Sequence, residues 1–375
     1  MQIVLFDNAA RNNLFPLTAT KALADLRCGI VTIKERWALQ TGLPVFVQTT
    51  AYLQPLYKAI PTDESIYVDA AVFADDTLMN QILALQTNES IEDEHGWIAY
   101  RGEVDKANKA YKVDNVKRLT RCWQLFQWND EVLRKDFALI TKGRVSQPIS
   151  STNYIVKPED IFIEEGARVE CAALNASTGP IYIGKNAEVL EGAVIRGPFA
   201  LCENGLVKMG AKIYGATTVG VKAMAGGEIK NAIINNYSNK AHDGYLGDSV
   251  IGEWCNLGAG TTNSNVKNTA GIVKMLNAAT DNFEEAGLKA GVIMGDYSRT
   301  AINSSINTGT VIGVAANVFG ELLLPKVIDS FSWGLNHQYE FEKAMRDINN
   351  WKQFKHKQLT DVERNILKYI FDDLH

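Results

Sequence analysis

The sequence predicts an α/β domain at the amino terminus, then a parallel β-helix, and helices at the carboxyl end. Three patterns support this prediction. Strand and helix patterns alternate over residues 2–85, which is typical of an α/β unit. Aliphatic residues then recur at every sixth position between Ile183 and Val219. The last segment, Gln338–Leu374, has helical spacing with charged faces.

In the first part of the chain, residues 2–6 predict a buried strand, followed by a polar loop over residues 7–13. Short apolar runs at Val45–Val47 and Ile66–Val68 predict two more strands, with helical patterns between them and around Leu78–Leu85. Basic Lys34 and Arg36 are expected near a helix end. Ligands of parallel sheets bind at the carboxyl ends of strands, so we expect the loop over residues 7–21 and Asp69 at the functional edge.

The six-residue repeat defines the second part. Such a period fits neither an α-helix nor a simple strand, and it indicates short strands separated by turns. Stacking in a coil places each aliphatic side chain inward, above the one three repeats earlier. We expect Gly184 and Gly220 to serve tight corners that need backbone freedom. The pattern resembles the hexapeptide repeat of left-handed parallel β-helices, and its members are Ile183, Val189, Ile195, Leu201, Val207, Ile213 and Val219.

Beyond Val219 the repeat loosens at Gly226 and Gly227, and it resumes at Tyr245, Ile251 and Leu257. Residues 263–288 lack the pattern and are interpreted as a loop extruded from one corner. The repeat then returns at Ile306, Ile312 and Val318.

An amphipathic helix over residues 123–140 is expected to bridge the two parts, with a boundary in the polar run 143–151. We therefore predict domains at 1–145 and 155–330, and a helical segment at 336–375. The helical segment is expected to cap the open end of the coil or to pack on a neighbouring subunit.

Composition excludes several classes of function. The formal net charge of −5 argues against nucleic acid or an anionic membrane surface as the main partner. No apolar run is long enough to span a membrane, and the first residues lack the features of a signal peptide. The five cysteines are scattered, without the spacing of zinc or redox sites, which favours buried thiols in the cytoplasm.

Two runs in the coil carry a family resemblance: NKAHDGYLGD at 239–248 and GEWCNLGAG at 252–260. They resemble the K-x-x-H-x-x-Y-L/I-G-D and N-I-G-A-G-T runs of the bifunctional UDP-N-acetylglucosamine diphosphorylase/glucosamine-1-phosphate N-acetyltransferase family. One residue fewer separates the lysine from the histidine here.

The resemblance implies that His242 is the general base for acetyl transfer from acetyl-CoA, because the attacking amine must lose a proton. Lys230 matches a lysine that binds the phosphate of the sugar, and Tyr245 and Asn256 match positions that hold the sugar or orient the acetyl group. Asn265 falls where the family has the asparagine of an N-Y-D-G turn, and it is expected to bind substrate as well. Each match has a structural alternative. His242 could fill a loop of the coil, and Tyr245 could be an inward rung, that is, one of the side chains stacked inside the coil. Asn256 could cap a turn, and Lys230 could be a solvated surface lysine.

Three departures from the family pattern concern this site. Val266 replaces a tyrosine, and nine extra residues lie between the GPFA run at 197–200 and Lys230. Glu203 stands near the place of phosphate-binding arginines, where it would repel an anionic substrate.

The amino-terminal part resembles a shortened sugar nucleotidyltransferase domain, with FPLTATKALADLRCGI as a recognisable block. The run LFDNAARNN stands where that family has a glycine-rich phosphate loop. The resemblance implies that Arg11 and Lys21 bind the nucleotide and that Asp69 binds Mg²⁺. The alternative is a relic domain that only stabilises the assembly.

The predicted function is sugar-nucleotide biosynthesis: acetyl transfer to glucosamine 1-phosphate, uridylyl transfer from UTP to N-acetylglucosamine 1-phosphate, or both. One alternative is nucleotidyl transfer with another sugar 1-phosphate and nucleotide, such as glucose 1-phosphate with dTTP. Another is a non-catalytic scaffold that binds sugar nucleotides. Coils of this class pack as trimers with acyl-CoA sites between neighbours, so we expect a homotrimer.

Overall fold

The computed structural model describes residues 1–62, 64–102, 109–320 and 323–373. The strands of its amino-terminal sheet are β1 (Gln2–Phe6), β2 (Val45–Gln48), β3 (Ser65–Asp69), β4 (Glu89–Asp93), β5 (Gly96–Arg101) and β6 (Lys109–Lys112). They lie in the order β2-β1-β3-β5-β4-β6. The predicted parallel pairing holds for β1 with β2 and β3, whereas β5 runs antiparallel to β3 and β4, so the sheet is mixed.

Three helices accompany this sheet: α1 (Ile33–Thr41), α2 (Asp76–Leu83) and α3 (Gln124–Thr141). Lys34 and Arg36 lie near the start of α1 rather than near its end, so that prediction is wrong. The reason is a capping box, in which the Thr32 side chain accepts from the Glu35 N–H and Glu35 reaches back to the Thr32 N–H.

The expected polar loop after β1 is also different. Residues Ala9–Leu14 form a 3-10 helix whose N-cap, Asn8, accepts a hydrogen bond from the Ala10 N–H. Arg11 and Leu14 of this turn are buried. Further short 3-10 turns lie at Leu23–Asp25, Gln54–Leu56 and Pro158–Asp160.

The parallel β-helix predicted from the six-residue repeat is confirmed. Its first strands are β7 (Tyr154–Val156), β8 (Ile161–Ile163), β9 (Arg168–Val169), β10 (Ala173–Asn175), β11 (Ile181–Ile183), β12 (Glu188–Val189), β13 (Val194–Arg196), β14 (Phe199–Leu201), β15 (Leu206–Val207), β16 (Lys212–Tyr214), β17 (Thr217–Val219) and β18 (Met224–Ala225). The strands that follow are β19 (Glu228–Ile234), β20 (Asn239–Lys240), β21 (Tyr245–Ile251), β22 (Asn256–Leu257) and β23 (Thr262–Asn263).

The stretch predicted as an extruded loop contains an antiparallel hairpin, β24 (Val273–Asn277) with β25 (Asn282–Gly287). The coil then resumes, and Ile306, Ile312 and Val318 are buried as predicted. Its last strands are β26 (Val292–Met294), β27 (Arg299–Thr300), β28 (Ser305–Ile306), β29 (Thr310–Ile312), β30 (Asn317–Val318), β31 (Val327–Ile328), β32 (Ser332–Trp333) and β33 (His337–Gln338).

The coil has three faces. Face 1 consists of β7, β10, β13, β16, the starts of β19 and β21, and then β23 and β28. Face 2 consists of β8, β11, β14, β17, the ends of β19 and β21, and then β26, β29 and β31. Face 3 runs from β9 to β32. Ile183 stacks on Leu201 and Leu201 on Val219, three repeats apart as predicted.

The glycines at the corners act differently from the prediction. Gly184 and Gly220 do not have a positive φ, and that conformation is taken two residues later by Asn186 and Lys222. A Cβ at Gly184 would lie 2.8 Å from the backbone carbon of Cys202 in the next coil. These glycines therefore allow successive coils to approach closely.

Tyr245 is not an inward rung. Leu246 points inward instead, stacked on Ile229, and it is fully buried. The coils around residues 226–251 are shorter than three full repeats, so Leu246 precedes the next inward residue, Ile251, by five residues rather than six. The side chain of Tyr245 consequently lies on the outer surface of face 1.

Helix α3 packs against face 2 of the coil. The Asn129 amide on α3 donates to the carbonyl of Ala216 at 2.8 Å, and Leu133 packs against Ala200 and Cys202 of face 2. Four of the five cysteines are buried and Cys171 is exposed. In the part of the chain that the structure describes, no helix is long and apolar enough to cross a membrane.

The carboxyl-terminal helices are α4 (Phe341–Gln353) and α5 (Asp361–Asp373); the end of the predicted segment, residues 374–375, lies outside the described residues. They pack along the side of the last coils, against Trp254, Tyr297 and Phe331, rather than over the open end. Tyr369 of α5 also stacks on Tyr52 of the amino-terminal part, with ring centroids 4.2 Å apart.

Candidate functional site

The outer surface of face 1 brings together three residues proposed from the sequence. Glu228 pairs with Tyr245 and Lys230 with Gly247 on the neighbouring strands β19 and β21. Asn265 follows β23 in the next coil, and its amide donates to the Tyr245 hydroxyl at 3.1 Å. Lys230, Tyr245 and Asn265 therefore share one surface.

Two positive charges meet on this surface. Partial burial lowers the pKa of Lys230, and the nearby ammonium of Lys289 lowers it further, while Asp248 acts in the opposite direction. The Asp248 carboxylate accepts hydrogen bonds from the amides of Asn231 and Asn265. Burial also raises the pKa of Tyr245, which keeps its hydroxyl protonated as a donor. A pair of lysines beside amide and hydroxyl groups suits an anion such as a phosphate.

His242 lies at the corner between faces 3 and 1, three residues before Tyr245. Its side chain is exposed, so it does not fill the interior of the loop. No described residue hydrogen-bonds to its imidazole ring. The backbone carbonyl, in contrast, is held: it accepts from the buried Lys240 ammonium at 2.5 Å. The corner therefore fixes the backbone and leaves both ring nitrogens available.

A shallow cleft adjoins this corner. It has a volume of about 280 Å³ and is lined by Lys212, Gly227, Glu228, Asp243 and Tyr245. Glu228 accepts a hydrogen bond from the Tyr214 hydroxyl at 2.6 Å. The volume lies just below the range of pockets that enclose small molecules. The cleft thus provides one wall of a site.

Asn256 and Glu203 lie elsewhere on the coil. Asn256 is on face 3, where its carbonyl oxygen accepts from the Asn239 amide at 3.4 Å, and Asn239 in turn accepts from Lys355 beyond α4. The structure does not bring Asn256 to Lys230. Glu203 is exposed at the corner between faces 2 and 3, so it does not oppose a phosphate at Lys230.

Lys289 was not found from the sequence. It lies at the end of the excursion that begins at Asn265, and the hairpin of residues 273–287 returns it to the same surface. The six-residue repeat is interrupted throughout this stretch. No sequence signal therefore places Lys289 beside Lys230.

The amino-terminal part has a cleft of about 410 Å³ at the carboxyl ends of β1 and β3, lined by residues such as Asn8, Ala10, Trp97 and Arg118. Asp69, the last residue of β3, adjoins this cleft through its contacts with Asn8 and Arg118. The Asp69 carboxylate accepts from the Asn8 amide at 2.6 Å, from the Ala71 N–H at 2.9 Å and from Arg118. Burial raises the pKa of Asp69.

These contacts leave little of Asp69 for a metal ion. No cluster of three or more histidine, cysteine, aspartate or glutamate side chains suited to a metal exists among the described residues. The guanidinium of Arg118 also occupies the place beside the carboxylate where a cation would bind. The assignment of Mg²⁺ to Asp69 stays a prediction, and the donor set does not fit it.

Arg11 and Lys21 both face inward. Arg11 is paired with Asp7 at 3.2 Å and donates to the Thr18 carbonyl. The Lys21 ammonium lies 2.9 Å from Asp296 and 3.5 Å from Glu253, two residues at a corner of the coil. Burial alone would lower the pKa of Lys21, but these carboxylates raise it above its ordinary value. Lys21 therefore joins the amino-terminal part to the coil, and its role toward a nucleotide stays a prediction.

Replacing Lys21 with methionine should lower the free energy of unfolding by about 3 kcal/mol, because Asp296 and Glu253 would keep buried charges without a cation. Urea unfolding would measure the change, with Lys34→Met as the control, because Lys34 is a half-buried lysine of α1 that lines the same cleft as Lys21. An unchanged unfolding midpoint for Lys21→Met would contradict this structural role.

Comparison with known proteins gives the following relationships. Residues 3–145 match the family model described as sugar nucleotidyl transferase. A bifunctional protein GlmU of Methanocaldococcus jannaschii is 33% identical over 62% of this chain and 53% of its own length. A GlmU of Bartonella quintana is 26% identical over 60% of this chain and 46% of its own.

A bifunctional sugar-1-phosphate nucleotidylyltransferase/acetyltransferase of Sulfurisphaera tokodaii is 36% identical over 24% of this chain and 23% of its own length. The solved Arabidopsis UDP-N-acetylglucosamine acyltransferase matches 60% of this chain and 91% of its own, at 17% identity and a TM-score of 0.26. The chain spans about half the length of the GlmU relatives described above. The family resemblance drawn from the sequence is confirmed: this chain is similar to the bifunctional GlmU proteins over about 60% of its length, and it carries a sugar nucleotidyl transferase match over residues 3–145.

Proposed function

We propose that this chain is a transferase of sugar-nucleotide biosynthesis. In this proposal its coil moves an acetyl group from acetyl-CoA to the amino group of an amino-sugar 1-phosphate, with glucosamine 1-phosphate as the first candidate. The observation that carries the proposal is the meeting of Lys230, Tyr245 and Asn265 on one surface, beside the corner that presents His242. The names of the relatives support the same reaction.

The chemistry assigns a role to each group. The sugar amine attacks the thioester carbonyl, and the imidazole of His242 takes the proton that the amine loses. A carbon–nitrogen bond forms, the carbon–sulfur bond breaks, and the proton passes to the leaving thiolate of CoA. Lys230 and Lys289 would hold the phosphate, while Tyr245 and Asn265 would orient the sugar by hydrogen bonds.

We further propose a homotrimer, in which a neighbouring coil supplies the second wall of the shallow cleft. Exposed apolar side chains along face 1 and along the corner between faces 3 and 1 support this arrangement, because a neighbouring coil would cover them. Tyr154, Val194, Met209 and Ile302 are each more than half exposed. Sedimentation as a monomer at micromolar concentration would contradict the proposal.

Nucleotidyl transfer is a second candidate activity, in which the uridylyl group of UTP passes to N-acetylglucosamine 1-phosphate. The cleft at the carboxyl ends of β1 and β3 favours it, since nucleotides bind at this edge of α/β sheets. Arg11, Lys21 and Asp69 are engaged in internal contacts, so no catalytic step is assigned to them. Another sugar phosphate and nucleotide could occupy the same cleft.

A pair of assays on the purified chain would test both activities. One contains glucosamine 1-phosphate and acetyl-CoA and follows free thiol; the other contains UTP, N-acetylglucosamine 1-phosphate and Mg²⁺ and follows pyrophosphate. We expect thiol release. Pyrophosphate release without thiol release would indicate that the coil serves only as a scaffold. If neither thiol nor pyrophosphate were released with these and other sugars, the proposal would be contradicted.

Replacing Lys230 with methionine should raise the KM for the sugar phosphate by about tenfold to a hundredfold, because a hydrogen bond to a charged group is lost. The KM for acetyl-CoA should stay within about twofold of its original value. Lys185→Met is the matched control, since Lys185 is an exposed lysine on a different corner of the coil. Equal KM values for Lys230→Met and the original chain would exclude Lys230 from phosphate binding.

A further inference from the structure

A lysine lies inside the coil directly before the corner that carries His242. Lys240 stacks on Ala225, which in turn stacks on Val207, so it occupies an inward rung of face 3. Its side chain is only 1% exposed. Every other rung named in this column is apolar. Lys240 thus places a charged side chain directly above two apolar rungs.

The contacts of Lys240 are with backbone oxygens. Its ammonium donates to the carbonyls of Gly226 at 3.2 Å and His242 at 2.5 Å. No described carboxylate forms an ion pair with it. Burial lowers its pKa to about 8, and the negative charge of Asp243, on the corner itself, offsets only part of this effect. An ammonium in such a place is costly to bury, and a methionine would fill the rung at lower cost.

The two carbonyls belong to successive corners of the coil. Gly226 turns face 3 into face 1 in one coil, and His242 does so in the next. Lys240 therefore links the corner that carries His242 to the corner beneath it. The surroundings allow little movement: a Cβ at Gly227 would lie 2.8 Å from the His242 carbonyl oxygen, and the Gly260 N–H donates to the Asp243 carbonyl at 3.2 Å.

We propose that Lys240 is a positioning residue: from inside the coil it holds residues 241–244 and thereby sets the direction in which His242 faces the outer surface. This role rests on the proposed acetyl transfer only for its effect on rate. The hydrogen bonds by which Lys240 holds the corner are a property of the fold and do not depend on the reaction. The buried ammonium of Lys240 lowers the stability of the coil at this rung, and it also fixes the geometry of the base. Functional sites commonly combine a local loss of stability with a fixed geometry.

The test is Lys240→Met, which keeps the length of the side chain and removes its donors. We expect kcat for acetyl transfer to fall by about tenfold or more, because a displaced base loses its alignment with the amine. The KM values should stay within about twofold and the melting temperature should be equal or higher. A purely structural lysine would instead give a lower melting temperature with KM values changed as well.

Hydrogen exchange of the backbone amides of residues 241–245 provides a readout that needs no activity. We expect faster exchange there in Lys240→Met than in the original chain, with exchange in face 2 unchanged. Lys240→Gln, which retains one donor group, should lie between the two. It also serves as the test variant if Lys240→Met does not fold.

The outcomes separate the two proposals. An original chain without acetyl transfer would contradict the proposed function, while faster exchange at residues 241–245 in the variant would still support the hold on the corner. If Lys240→Met had the same kcat as the original chain and the same amide exchange rates at residues 241–245, the proposed role of Lys240 would be overturned.

Discussion

Replacing His242 with alanine is expected to lower kcat for acetyl transfer by about 10²–10⁴-fold, the usual contribution of a general base. The physical reason is that the attacking amine would have no group to accept its proton. The KM for the sugar phosphate should change little, since Lys230, Tyr245 and Asn265 remain in place. Thiol release from acetyl-CoA under saturating substrate measures the effect.

His337→Ala is the control for this experiment, because His337 is exposed on β33 at the far end of the coil. It should retain the original rate, and pyrophosphate release, where present, should persist in both variants. A His242→Ala protein with the original kcat would show that another group accepts the proton, and the assignment of His242 would then be withdrawn.

Replacing Asp136 with alanine is expected to destabilise the fold by about 3–5 kcal/mol, the range observed when one partner of a buried ion pair is removed. The Asp136 side chain on α3 is 1% exposed. It accepts hydrogen bonds from the Ile30 N–H at 2.8 Å, the Val31 N–H at 3.2 Å and the guanidinium of Arg36 at 2.7 Å. Alanine would leave a buried guanidinium and two buried N–H groups without this acceptor.

Urea unfolding measures this loss, and Asp130→Ala on the same helix is the matched control. Asp130 is half exposed and pairs with Arg134 one turn away, so its removal should cost about 1 kcal/mol or less. Asp136→Asn should lie between the two, because it keeps the shape of the side chain and loses its charge. Equal unfolding midpoints for the two alanine variants would contradict the importance of the Asp136 contacts.

The repeating part of the fold could be predicted from the sequence because its six-residue pattern depends only on neighbouring repeats. Each inward rung of a regular coil is set by the rung three repeats earlier, so Ile183, Leu201 and Val219 fix one another's positions. The six-residue pattern fails where a coil contains fewer residues than three full repeats. There Lys240 and Leu246 take the inward rungs that the six-residue count gave to other residues.

The candidate site was predictable only in the positions that a short motif supplies. Lys230, His242 and Tyr245 lie within a single stretch of chain, and the pairing of β19 with β21 places Lys230 and Tyr245 on one surface. Lys289 depends on the path of a hairpin, and the ion pairs of Lys21 depend on how the amino-terminal part docks against the coil. Interactions between residues so distant in sequence have no periodic signature.

The docking of the two halves has a consequence for how such chains arise. Ile233, Val250, Ile293 and Val311 of face 2 belong to the same buried cluster as Ile3, Val68 and Ile98 of the amino-terminal sheet. A recombination event that removed or exchanged the first half would therefore uncover apolar side chains of the coil and invite aggregation. Because neither half is complete at its surface, we expect selection to keep the two halves in one chain, whether or not the first half performs chemistry.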